Sequence, residues 1–155
     1  MSRRDQITLS DDEQRELLDS QRVVVVGSLG PRGWPHLMPL WYVPRDGEVC
    51  IYTYAKSQKV RNLERDPRAT LLIETGHEYT ELRGVMIEAE AEINRDIEVV
   101  YPLAEELTLR YAEGLESVEG DAKAALEAQA RKRVAIRFRA LRSASWDHGK
   151  LGGVY

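Results

Sequence analysis

Between Val85 and Ile93 the chain alternates: Val85, Ile87, Ala89, Ala91 and Ile93 are apolar, while Glu88, Glu90 and Glu92 are charged. A period of two places these sets on opposite faces of an extended strand, and no helix sorts them that way. From Arg133 to Leu141 the period returns with the opposite sign. Val134, Ile136, Phe138 and Ala140 alternate there with Arg137 and Arg139. The glutamate face of 88–92 and the arginine face of 133–139 complement each other on adjacent strands, so the pattern predicts that these two strands are neighbours.

The rest of the chain supplies four more strands. Arg22 to Leu29 contains Val23-Val24-Val25-Val26, a β-branched run expected in a strand covered on both faces. Residues 35–43 and Glu48 to Tyr54 follow, separated by the turns Gly30-Pro31-Arg32-Gly33 and Pro44-Arg45-Asp46-Gly47. The Asp-Gly pair is one that hairpins favour. This spacing predicts an antiparallel meander of the first three strands. Residues 68–75 are the fourth strand and 82–94 the fifth. Helices are expected at three places: Ser57 to about Arg65, ended by Asp66-Pro67; 96–113, with a stripe of Ile97, Val100, Tyr101, Ala104, Leu107 and Tyr111; and about 121–131. Residues 1–20 form a separate N-terminal helical segment. Ser10 and Glu13 make its capping box, and its low apolar content predicts a surface position. The expected architecture is mainly β with marginal helices: six antiparallel strands closing into a small barrel over residues 21–155.

The chain has 155 residues, with 43% hydrophobic and 31% charged. This suits one globular domain and excludes a disordered chain. The run Val23–Val26 is far below the ~20 residues of a membrane-spanning helix, and Met1-Ser2-Arg3-Arg4-Asp5 opens no apolar leader. Cys50 is the only cysteine, which fits a reducing, cytoplasmic setting. The net charge of −4 argues against a nucleic-acid binder, but its distribution is uneven. Residues 56–68 carry five Lys/Arg against two acids, and residues 131–150 carry seven against one. Two basic segments in an acidic protein suit a small anionic ligand, or pairing with the acidic segments 1–20 and 95–131.

Three segments can carry chemistry. The first is Ala55-Lys56-Ser57-Gln58-Lys59-Val60-Arg61-Asn62-Leu63, where a strand end meets a helix N-terminus. Free backbone N–H groups, the helix dipole and the Lys56, Lys59 and Arg61 charges favour a phosphate there; the bland reading is a solvated basic helix packed through Val60 and Leu63. The second is Trp34-Pro35-His36-Leu37-Met38-Pro39-Leu40-Trp41-Tyr42, whose prolines restrict it to a sheet edge or a bulge, either with backbone groups free to read a planar ring or as an ordinary edge strand whose prolines block aggregation. The third is the tail from Ser145 to Tyr155, with Trp146 and His148, which either docks on a partner subunit or frays. His36, His77 and His148 have no metal-ligand spacing, Cys50 reads as a packed small hydrophobe, and the common nucleophile and nucleotide-loop motifs are absent.

In this order and spacing, Gly33-Trp34-Pro35-His36, Pro39-Leu40-Trp41, Lys59-Val60-Arg61-Asn62-Leu63 with Arg65-Asp66-Pro67-Arg68, Glu81-Leu82-Arg83-Gly84-Val85 and Ser145-Trp146-Asp147-His148 resemble the pyridoxamine 5′-phosphate oxidase-like split-barrel superfamily, in particular its flavin/deazaflavin-dependent oxidoreductase branch. The resemblance covers about Gln21 to Tyr155. It implies a six-stranded split β-barrel, a homodimer, and a cofactor in a groove between the subunits, either F420 or FMN. By position, Lys59 with Lys56, Ser57 and the adjacent backbone through Val60 and Asn62 would hold the cofactor phosphate. Met38, Pro39, Leu40 and Trp41 would line the ring, Tyr54 and Ala55 would flank the ribityl chain, and Trp146 and His148 would close the site from the second subunit. Family members often carry basic residues where Ser57 and Gly149 stand, so weaker contacts to the anionic cofactor are expected here.

The implied activity is hydride transfer between the reduced ring and a small conjugated substrate. Tyr42, Tyr54, Tyr79 and His148 are the side chains able to supply a proton, and none is singled out. The alternatives are an FMN-dependent oxidase of the same fold and a non-catalytic flavin- or tetrapyrrole-binding protein.

Overall fold

A computed structural model describes residues 3–152. The helices are α1 (Arg3–Ile7), α2 (Asp11–Ser20), α3 (Gln58–Arg65), α4 (Ile97–Tyr111) and α5 (Gly120–Ala130). The strands are β1 (Val23–Leu29), β2 (Pro35–Trp41), β3 (Val43–Arg45), β4 (Glu48–Tyr54), β5 (Arg68–Thr75), β6 (Arg83–Asn94) and β7 (Arg133–Asp147), with 3-10 turns at Tyr79–Glu81 and His148–Leu151. No helix among the described residues is long and apolar enough to cross a membrane.

All strand pairs are antiparallel, in the order β2-β1-β5-β6-β7-β4-β3. The outermost strands, β2 and β3, are separated in sequence by Tyr42 alone. A flat sheet cannot bring its two edges to within one residue, so this one curls round into a split β-barrel. The edges fall where proline removes ladder donors: Pro35 and Pro39 lie in β2, and Pro44 lies in β3.

The neighbouring of β6 and β7 follows the charge pattern. Glu90 faces Arg139 and Glu92 faces Arg137 in register. Arg139 pairs with Glu90 and Glu92, whereas Arg137 turns to Glu48 on β4 at 2.5 Å. Other expectations need correction. The first three strands are not a meander: β1 lies between β2 and β5, and β4 pairs with β7. Residues 35–43 are not one strand, because the chain leaves one sheet edge at Trp41 and enters the other at Val43. The described residues therefore form seven strands. Only Asp46 and Gly47, both at positive φ, form the turn before β4, while Pro44 and Arg45 already belong to β3. β7 runs past Leu141 to Asp147, because the first half of β6 takes Arg142–Asp147 as its partner beyond a bulge. In β1, Val24 and Val26 are buried but Val23 is exposed, so the valine run is not covered on both faces.

The barrel interior is filled by Val24, Val26, Ile51, Ile73, Val85, Ile136 and Phe138, with Val60 and Leu63 of α3. A second cluster lies on the outer face, where Val100 and Leu103 of α4 cover Val43, Cys50 and Ala135. Burial pushes the Cys50 thiol pKa up, in keeping with a packed, unreactive cysteine. Although α2 was expected at the surface, Leu9, Leu17 and Leu18 belong to the core. Two leucines on one face suffice, because the carbonyls at its C-terminus are taken by another element. Arg110 donates to the carbonyls of Asp19 and Gln21 at 2.8 and 3.0 Å, and the Tyr42 hydroxyl donates to Leu18 at 2.5 Å.

The chain ends are tied together through Glu13. It completes the capping box with Ser10 and accepts from the Lys150 ammonium at 2.7 Å, which lowers its pKa to about 2. The fold thus favours the carboxylate. The contribution is present above the ordinary carboxylate pKa and is lost as the pH falls toward 2. Glu13→Gln should therefore speed amide exchange in the first turn of α2 and at 148–151 at neutral pH. The difference from the parent should vanish in strong acid; equal protection at neutral pH would refute the tie.

Candidate functional site

Tyr54 ends β4 in register with Arg133, the first residue of β7, and the Ala55 N–H donates to the Lys132 carbonyl at 3.0 Å. The chain then turns through Lys56 into α3. Ser57 is the N-cap residue by backbone conformation, but its hydroxyl makes no capping bond; it accepts from the Lys59 ammonium at 3.4 Å. The first turn of α3 therefore has no side-chain cap.

Lys59 is 7% exposed, and among the described residues no carboxylate lies within ion-pair distance of it. Desolvation first, and the Arg133 charge second, push its pKa down. Arg133 also lacks a carboxylate partner among the described residues, and its guanidinium lies over the Tyr52 ring at 4.8 Å. A buried cation beside a second unpaired cation costs stability unless an anion joins them. Val60 and Asn62 have no side-chain exposure: Val60 packs in the core, and the Asn62 amide donates to the Ser28 hydroxyl at 3.1 Å. These two hold α3 against the core and β1.

β2 is the sheet edge, with Met38, Pro39 and Trp41 exposed and Leu40 half-buried. The Trp41 ring stacks on Tyr111, centroids 4.5 Å apart and planes 9° apart. Beside it lies a cleft of about 560 Å³, walled by Pro39, Leu40, Trp41, Leu107 and Leu126. Its polar lining includes Tyr52, Gln129 and Arg133. The Tyr52 hydroxyl is buried with no hydrogen-bond partner among the described residues.

Trp146 and His148 are not brought to this place within one chain. Trp146 sits near the far end of β7 from Arg133 and His148 just beyond it, thirteen and fifteen residues along a chain whose strand rises about 3.3 Å per residue. Trp146 lies over Gly84, where a Cβ would come within 2.4 Å of its ring. His148 Nδ1 is 2.9 Å from the Tyr79 carbonyl oxygen, and the two rings are 4.4 Å apart. Of the tail segment, Gly153, Val154 and Tyr155 lie outside the described residues. Arg133, Tyr52 and Gln129 were not singled out from sequence. Arg133 was visible only as one charge in the basic stretch 131–150, because its alternation with Arg137 and Arg139 reads as one solvated strand face.

Curled sheet and proline-marked edges together define a small split β-barrel. The chain belongs to the pyridoxamine 5′-phosphate oxidase family, whose model matches residues 10–147. It is similar to the conserved hypothetical protein Rv2991 from Mycobacterium tuberculosis, at 37% identity and TM-score 0.88, covering 100% of this chain and 95% of that one. It shares its fold with an F420 reductase at 22% identity and TM-score 0.62, covering 83% of this chain and 94% of that one. An FAD-binding protein from Mesorhizobium loti matches at 18% identity and TM-score 0.67, covering 89% of this chain and 94% of that one. No curated protein matches the sequence.

Proposed function

We propose that this protein is an oxidoreductase that binds a flavin-type cofactor, F420 in the first place and FMN as the alternative, and acts on a small conjugated substrate. The observation that carries the reading is Lys59: a buried ammonium, beside Ser57 and an uncapped helix N-terminus, with no carboxylate to neutralise it. A cofactor phosphate is the group that this donor set fits. The edge strand Met38 to Trp41 supplies unpaired backbone groups and apolar side chains for a ring, and exposed Tyr54 flanks the path between ring and phosphate. Family membership and the F420- and FAD-binding neighbours support the same reading.

When bound, such a cofactor gives or takes a hydride at its ring. The chain's own part is position and field. Lys59 and Ser57 fix the phosphate end, while β2 and the Trp41–Tyr111 stack fix the face along which a substrate slides. The Tyr42 hydroxyl is committed to the Leu18 carbonyl and its pKa is raised by burial, so it is no proton donor. In this reading the functional unit is a homodimer, and a second copy brings Trp146 and His148 over the groove.

The test is titration of the purified protein with F420 and, separately, FMN, followed by visible absorption. Saturable binding of F420 in preference to FMN is expected. Preference for FMN moves the protein to the flavin oxidases. Binding of neither, or of a tetrapyrrole alone, overturns the cofactor assignment.

A further inference from the structure

The cleft between β2 and the α4–α5 pair has a chemistry different from that of the phosphate end. Arg133 lines it, and Lys59 and Ser57 do not. Its walls are apolar: Pro39, Leu40 and Trp41 on one side, Leu107 and Leu126 on the other. Its volume of about 560 Å³ lies in the range of small-molecule sites. Against these walls stands one guanidinium, held over the Tyr52 ring and without a carboxylate partner among the described residues. The nearby Tyr52 hydroxyl is buried and unpartnered, and Gln129 adds an amide to the same lining.

A planar fork of N–H donors set in an apolar cleft recognises a flat, mostly apolar molecule with a single oxyanion. We propose that this cleft binds a small conjugated carboxylic acid, with Arg133 gripping the carboxylate, Tyr52 and Gln129 completing its hydrogen bonds, and Trp41 and Leu107 flanking the apolar body. A carboxylate suits the cleft better than a phosphate monoester, because one guanidinium balances one charge. Tyr52 acts twice: its ring holds the guanidinium in place, and its hydroxyl gains a partner when the acid is bound. That the acid is the substrate rests on the function proposed above; that it binds at Arg133 does not.

Calorimetric titration of the full-length protein with cinnamate, cinnamamide and phenyl phosphate tests the assignment. Cinnamate should bind saturably, and cinnamamide, with the same shape and no charge, about tenfold more weakly or worse. Arg133→Gln should bring cinnamate down to the amide's level, and Tyr52→Phe should weaken it several-fold. Lys59→Met, which removes only a neighbouring charge, should weaken it less than Arg133→Gln does. The far-UV circular dichroism and the cooperative melting of Arg133→Gln should match those of the parent, which shows that the variant is folded. No cinnamate binding, equal binding of acid and amide, tighter binding of phenyl phosphate, or loss through Lys59→Met but not Arg133→Gln would each overturn the proposal. If cofactor binds and cinnamate does not, only this inference falls. If cinnamate binds and no cofactor does, only the proposed function falls.

Discussion

Lys59→Met should make the empty protein more stable while depriving it of its ligand. Lys59 is 7% exposed, with the Ser57 hydroxyl accepting from its ammonium, and a charge on so buried a residue costs the fold free energy. Methionine fills a similar volume without the charge. Removing the charge should return on the order of 1 kcal/mol, or about 2–4 °C in melting temperature for a chain of this length. The direction of the pKa shift adds a second check. Because the fold favours the neutral amine, the penalty is largest where the amine is charged in both folded and unfolded chain, and it fades as the pH rises toward the usual lysine value of about 10.4. The stability gap between variant and parent should therefore close in alkali. Inorganic phosphate should raise the melting temperature of the parent and not of the variant. Affinity for the phosphorylated cofactor should fall about 10- to 100-fold, the worth of one charge-assisted hydrogen bond. A variant that melts lower than the parent and binds cofactor as well would remove Lys59 from the site.

The largest loss of stability is expected at Tyr42. It is the largest of the fully buried side chains, and its hydroxyl, backbone N–H and carbonyl are all engaged. The hydroxyl holds the end of α2. The backbone N–H donates to the Tyr111 hydroxyl at 3.2 Å, and the same hydroxyl lies 2.8 Å from the Tyr42 carbonyl and 2.7 Å from that of Arg22. Its one proton serves one of these carbonyls at a time. Tyr42→Ala opens a large cavity and should cost about 3–5 kcal/mol, lowering the melting temperature by on the order of 10 °C. Tyr42→Phe keeps the ring, and Arg110 still lies 3.4 Å from the Leu18 carbonyl. Its cost should be about 1–2 kcal/mol. Urea unfolding of the two variants measures both. A cost below about 1 kcal/mol for Tyr42→Ala would show that the cavity collapses and that α2 is held elsewhere.

The strands were readable where side-chain period and charge spoke together. Glu88–Glu92 and Arg137–Arg139 located two strands and their pairing, because a sheet brings facing charges within reach across any length of chain. The edge position of β2 was readable from Pro35 and Pro39. The order of the other strands was not. Nothing local in Val23–Leu29 says that its second neighbour is β5, since both of its faces can pair with any apolar partner. The break at Tyr42 was hidden because tyrosine suits a strand as well as a joint. On the functional side, the Lys56–Lys59 segment announced itself through its charges, and the structure adds the burial of Lys59. Asn62 looked like a ligand-facing polar group because sequence cannot show which side of a short helix is buried. Arg133 was concealed by belonging to an alternating strand, where one arginine looks like the next.

The joint at Tyr42 also sets where this chain can change in length through evolution. An added residue there would turn every following side chain of β3 to the opposite face, exposing Val43 and driving Pro44 inward. The hairpin end at Pro31–Gly33 and residues 113–117 between α4 and α5 carry no such constraint, since both are exposed turns. Insertions and deletions among relatives should therefore collect in those two places and spare residues 41–43. An alignment of relatives with a loop grown at Tyr42 would mean that the sheet tolerates a looser seam than this one has.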